Sequence, residues 1–154
     1  MQTGTRTVEK ETAMSFTEQE IAYLRSQPLA RLATVDAGAP GVPAQPDVVP
    51  VALEYDGEHL WVGGGDRSVL GTRKFRNLAT GAHQVAVVVD DLPSFEPFIA
   101  RGIRIYGRAE QPFQRTGMVG PGWYLRITPT VSWSWNLDGE PVGEDWYEAR
   151  RAVH

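Results

Sequence analysis

The apolar positions of this chain keep two rhythms. A short stretch near the start repeats at helical spacing, and most of the remaining chain alternates at period two. Phe16, Ile21 and Leu24 mark a first helix. Thr17 and Glu20 have the spacing of a capping box, Phe16 and Ile21 that of a hydrophobic staple, and Pro28 closes the helix. Leu29–Val35 reads as the first strand. Asp47–Tyr55, the Asp56-Gly57 turn and His59–Gly63 read as a hairpin, because Asp-Gly supplies the positive φ angles of a tight turn. Pro50 cannot donate to a strand ladder and so marks an edge, a bulge or a ligand-facing position. The glycines at 63 to 65 predict a close approach to the backbone.

A second helix is expected over about residues 73–80. Gln84–Asp90 is nearly all apolar, as suits a strand buried on both faces, with Asp90-Asp91 as a strand-end turn. Ile103, Ile105, Gly107 and Ala109 alternate with Arg104, Tyr106 and Arg108, giving one apolar and one basic-aromatic face. Between Tyr124 and Trp135, strict alternation places Leu125, Ile127, Val131, Trp133 and Trp135 together. Arg126, Thr128, Thr130, Ser132 and Ser134 fall on the other side.

Two segments lack either rhythm. Residues 36–46 are rich in Gly, Pro and Ala and read as a mobile loop; the polar residues from Asn136 onward read as a tail or a short packing segment. Residues 1–14 are expected to be a disordered tail, leaving 15–154 as a single domain. Several antiparallel strands with short helices predict a mainly β, α+β fold, closed or partly closed into a barrel so that few strand edges stay exposed. No Gly-x-Gly-x-x-Gly comes after the first strand, so dinucleotide binding on a doubly wound sheet is not expected.

Composition narrows the chemistry. With 154 residues, 42% apolar, the chain is long enough for one packed core. A net charge of −4 argues against broad nucleic-acid or membrane-surface binding. No apolar run is long enough to span a bilayer, and the first residues lack a signal-peptide core. The chain has no Cys, which removes thiol chemistry, and His59, His83 and His154 are too scattered for a metal cluster. A metal-free, cytoplasmic protein is expected, with His59 and His83 as surface groups.

The densest candidate chemistry is Gly71-Thr72-Arg73-Lys74-Phe75-Arg76-Asn77. Lys74 is the only lysine after Lys10 and stands at an expected helix start between two arginines. Free N–H groups and cationic side chains at that point suit a phosphate; a solvated basic helix face would read the same way.

In order and spacing, Ser15-Phe16-Thr17, Val49-Pro50-Val51, Thr72 to Asn77, Val85 to Asp91 and Arg101 to Gly107 resemble the pyridoxamine-phosphate-oxidase-like split β-barrel flavoproteins. Within them the chain is similar to the branch using the deazaflavin coenzyme F-420, including a dehydrotetracycline reductase subgroup of antibiotic biosynthesis. The resemblance runs over about residues 15–135. It implies an FMN-binding-like split barrel forming a homodimer, with cofactor sites between the subunits. Lys74 and Asn77 match the family's phosphate anchors. Relatives carry an arginine two positions before that lysine; here Thr72 stands there, with Arg73 beside the lysine, so Thr72 would cap the helix or bond a phosphate oxygen. Val49, Pro50 and Val51 would lie along the ring, near Gly63, with backbone groups reading its pyrimidine edge. Trp133 and Trp135 would come from the partner subunit.

The resemblance further implies an oxidoreductase passing a hydride from reduced coenzyme F-420 to a conjugated C=C of a small molecule, such as a polyketide or tetracycline-type intermediate. No residue is singled out as catalytic, since the cofactor carries the chemistry. Arg67 and Arg101 would suit the long acidic tail of the coenzyme, and Arg104 and Tyr106 could orient a substrate carbonyl. FMN as cofactor of an oxidase or reductase, and a non-catalytic flavin, deazaflavin or haem carrier, are the alternatives on the same scaffold.

Overall fold

The computed structural model describes residues 15–154; the tail expected over 1–14 lies outside the described residues. Helix α1 (Glu18–Ser26) starts where the sequence places it. Thr17 accepts from the Glu20 amide, and the Glu20 carboxylate accepts from the Thr17 amide at 2.8 Å, completing the capping box. Leu24 and Tyr23 are buried, with Ile21 packed against the same core.

Eight strands form one sheet. They are β1 (Leu29–Val35), β2 (Pro46–Tyr55), β3 (Leu60–Gly63), β4 (Gln84–Ser94), β5 (Ile99–Ala109), β6 (Phe113–Gly117), β7 (Gly120–Trp135) and β8 (Ala149–Val153). Neighbours run β3-β2-β1-β4-β5-β7, and β3 also pairs with β7, so six strands close into a barrel. Strands β6 and β8 add to β7 at its two ends. Leu32, Leu60, Val62, Val87, Val89, Ile103, Ile105, Leu125 and Ile127 fill the interior. A 3-10 turn (Arg67–Gly71) and helix α2 (Arg73–Ala79) come after β3, and Phe75 and Leu78 of α2 join the core.

Several local expectations change. The β2–β3 connection is longer than two residues: Gly57 alone takes a positive φ, and the Asp56 carboxylate accepts from the amides of Glu58 and His59. Strand β4 is covered on one face and only half covered on the other, where Ala86 and Val88 lie. Asp90 and Asp91 sit within β4 rather than at its end, and each is paired, with Arg31 at 2.6 Å and with Arg101 at 2.8 Å. The residues after Asn136 are not a plain tail, since they include β8, and Ala152 is buried. His59 is no open surface group, since its side chain is only 18% exposed.

The largest correction concerns β7. Gly107 pairs with Pro129 and Tyr106 with Val131, which leaves Thr130 as an extra, unpaired residue. This bulge shifts the alternation by one. Before it Leu125 and Ile127 point inward; after it Ser132 and Ser134 are buried, while Val131, Trp133 and Trp135 turn to the outer face. The buried serines are satisfied by distant partners. Ser134 donates to Glu20 at 2.6 Å, and Ser132 bonds the His154 ring at 2.8 Å.

Candidate functional site

Strand β2 offers an open edge. It pairs with β1 over its whole upstream part, from Pro46 to Ala52, whereas β3 covers only Leu53–Tyr55. The Leu53 amide donates to the Pro28 carbonyl on the β1 side. By the alternation of an antiparallel ladder, the backbone groups of Val48, Pro50 and Ala52 therefore face away from β1, toward the open edge. Pro50 sits where its missing N–H costs no ladder bond, which is the edge reading of that residue. The Val49 and Val51 side chains point into the barrel, so a molecule lying on this edge meets backbone groups rather than those side chains.

Helix α2 lies beside that edge and is tied to β1. Asn77 is 4% exposed and donates through its Nδ2 to Thr34 Oγ1 at 2.8 Å. Thr34 stands opposite Asp47 in the register of β1 and β2. Lys74, one turn before Asn77, shares its side of the helix. The Lys74 ammonium is half buried and has no ion-pair partner among the described residues. Burial pushes its pKa down, and the nearby Asp47 carboxylate pushes back up. Arg73 and Arg76 are exposed.

Thr72 takes the N-cap position, but its hydroxyl donates to the Val69 carbonyl at 2.7 Å and does not cap the helix. With only seven residues, α2 has too short a dipole to bind an anion by itself. Any hold on a phosphate must come from its side chains.

The glycines at 63 to 65 do bring backbones together, and the approaching segment is the chain's own. Gly64 donates to the Trp123 carbonyl at 2.7 Å, and a Cβ on Gly122 would run into the Gly65 carbonyl. Phe75 of α2 packs over Gly63, where a Cβ would stand 3.4 Å from its ring. Beyond this lock Gly65 faces open space.

Trp133 and Trp135 lie elsewhere. One cross-strand row runs Pro50, Arg31, Val88, Arg104, Trp133, Arg151. Four strand spacings thus separate Pro50 from Trp133, roughly 19 Å along the sheet. One chain does not bring the two halves of the candidate set together. On this outer face the Arg104 guanidinium lies 4.2 Å from the Trp133 ring centre, and Tyr106 meets Trp133 edge-on at 4.9 Å. Trp135 covers Gly102 of β5, where a Cβ would meet the indole at 2.6 Å. A shallow groove of about 580 Å³ adjoins this face, lined by Thr34, Val35, Pro46, Gln84, Tyr106 and Arg108 among others. Two bonds hold Arg101 to Asp91; Arg67 is exposed on the 3-10 turn.

Sequence patterning missed Asp47 and Thr34. Their proximity to Lys74 depends on strand register and on the Asn77 bond, which no local spacing reports. Among the described residues no group of side chains is arranged to hold a metal ion, and no helix is long and apolar enough to cross a membrane.

Comparison with known proteins agrees with this geometry. The family model described as pyridoxamine 5'-phosphate oxidase matches residues 16–115. A 5a,11a-dehydrotetracycline/5a,11a-dehydrooxytetracycline reductase of Streptomyces rimosus is 42% identical over 136 residues, covering 82% of this chain and 87% of that protein. Among solved structures, an FAD-binding protein of Mesorhizobium loti superimposes with a TM-score of 0.53 at 19% identity, over 76% of this chain and 92% of its own. The FAD binding protein of Mycobacterium smegmatis gives a TM-score of 0.51 at 14% identity, over 90% and 98%. These two likenesses support the barrel architecture, and the sequence matches reach further: the chain belongs to the pyridoxamine 5'-phosphate oxidase family of split β-barrel proteins.

Proposed function

We propose that this protein is a reductase that uses the deazaflavin coenzyme F-420 to reduce a conjugated C=C of a small organic molecule, of the polyketide or tetracycline kind. The observation that carries this reading is the 42% identity, across 82% of the chain, to a protein named as a dehydrotetracycline reductase. The residues present fit an anionic, planar cofactor. A half-buried ammonium without an ion-pair partner among the described residues stands beside a strand edge with open backbone groups. When bound, the reduced coenzyme supplies a hydride to an electrophilic carbon.

Each named side chain has a bounded task. Lys74, with Arg73 beside it, would hold the phosphate by charge-assisted bonds. The backbone groups of Val48, Pro50 and Ala52 would read the ring edge, and the closed lock at Gly63–Gly65 fixes the wall on which α2 stands. Asn77 positions Lys74 by anchoring α2 to β1.

The protein is further proposed to act as a homodimer through the outer face of β1, β4, β5 and β7. Val48 is 65% exposed and Tyr106 43%, and Ala33, Ala86, Val131 and Val153 complete one cross-strand row with them. A second copy laid on this apolar row would bring Trp133 to its partner's β2 edge. Sedimentation that returns only monomers at micromolar concentration would remove this part.

Parallel titration of the purified protein with F-420 and with FMN tests the cofactor. Saturable binding of F-420, tighter than that of FMN, is the expected result. Tight FMN binding without affinity for F-420 would move the protein to the flavin alternative.

A further inference from the structure

The cofactor reading leaves Asp47 unexplained, since a carboxylate beside a phosphate-binding ammonium works against anion binding. Asp47 points inward from β2 opposite Thr34, and Thr34 accepts the bond from Asn77 one helical turn beyond Lys74. Asp47 and Lys74 thus stand under the same end of the barrel without joining in an ion pair. Asp47 Oδ2 is shut off from solvent and has no hydrogen-bond partner among the described residues. A charge held there acts on its surroundings with little screening.

We propose that Asp47 sets which phosphate the Lys74 site accepts, removing the advantage that Lys74 alone would give a doubly charged terminal phosphomonoester over a singly charged phosphodiester. The inference rests on the reading that Lys74 receives the cofactor phosphate. Lys74 alone would attract a dianion twice as strongly as a monoanion at the same distance. A carboxylate at a comparable distance repels in the same proportion and cancels that preference. A phosphomonoester carries about −1.5 to −2 at neutral pH, whereas a diester carries one charge. FMN ends in the first kind of group, and the phosphate of F-420, continued into a lactyl arm, is of the second.

The experiment measures dissociation constants of FMN and of F-420, by fluorescence titration at neutral pH, for the wild type and for Asp47→Asn, Asp47→Ser and Asp47→Glu. Melting temperatures identify the folded variants, and Asp47→Ser serves if Asp47→Asn does not fold. Removing the charge is expected to improve FMN relative to F-420 by about five- to tenfold. Asp47→Glu, which keeps the charge, is expected to hold the wild-type ratio. An unchanged ratio in the neutral variants overturns the inference alone. So does an equal loss for both ligands, as a simple hydrogen-bond acceptor would give. A wild type that binds neither ligand overturns the cofactor reading together with it.

Discussion

Lys74 concentrates the functional argument at the scale of single residues. Its isolation was visible in the sequence, where it is the only lysine in the folded part. The structure adds that it is half buried beside an open strand edge and faces a carboxylate. Partial burial of an ammonium that is not joined in an ion pair favours an anionic ligand over a fully solvated basic face. Lys74→Ala is therefore expected to weaken F-420 binding by about 1.5–3 kcal/mol, the range of a charge-assisted hydrogen bond, with the melting temperature little changed. Isothermal titration of the two proteins measures it, and an unchanged affinity would return this segment to a role on the surface. Asn77 illustrates the limit of reading residues alone. The family pattern marks it as a phosphate anchor, while its side-chain amide is already engaged with Thr34. That one bond ties the helix that carries Lys74 to β1 and leaves the other amide hydrogen and the amide oxygen of Asn77 uncommitted to it.

Among the elements, helix α1, strand β1, the edge character of β2 and helix α2 were legible because each is announced by neighbours in sequence: a capping box, a closing proline, an interior proline, a basic run. The outer position of Trp133 and Trp135 was not legible. One unpaired residue, Thr130, reverses the facing of everything after it, and nothing in the local alternation signals the slip. Strand β8 escaped for a related reason. It carries a single buried residue, Ala152, beside Ala149, two arginines and one valine that alone show no core face.

Polar contacts hold β8 in place. Arg150 donates to the Glu20 carboxylate at 2.9 Å, Ser134 donates to the same carboxylate, and His154 bonds Ser132 and packs 4.4 Å from the Phe16 ring. Glu20 is 1% exposed, so helix α1 and the C-terminal strand close over one buried charge. Burial lowers the pKa of His154, against the opposing pull of Glu20. The unfolded chain then binds a proton more readily than the folded one. The stability contributed by neutral His154 is fully present above about pH 6.5 and is lost as the pH falls toward the depressed folded value. Thermal melts are expected to show the melting temperature falling from pH 7 to pH 5, and His154→Gln to flatten that slope. A slope identical in the variant would assign the acid sensitivity to other groups.

The whole molecule joins a closed barrel to an outer face that is left half covered. Closure by the β3–β7 pairing ties the two ends of the six-stranded sheet together and leaves an open edge along the upstream part of β2, where the candidate site lies. The anchoring half of that site and the aromatic half, with Arg104, Tyr106 and Trp133, stand four strand spacings apart around one barrel. Their combination across two copies would enclose a ring system between a strand edge and an aromatic wall, with water excluded from the reacting face.

The central claim is that this barrel uses a reduced deazaflavin to reduce a conjugated small molecule. Stopped-flow mixing of the protein, reduced F-420 and a tetracycline-type dienone, with the return of oxidised-coenzyme absorbance monitored over time, tests it most directly. Reoxidation that requires the protein, saturates with the dienone and yields the product reduced at the conjugated C=C is the predicted result. Coenzyme that binds the protein yet returns to the oxidised state no faster than in its absence, across the enones and dienones offered, would contradict it.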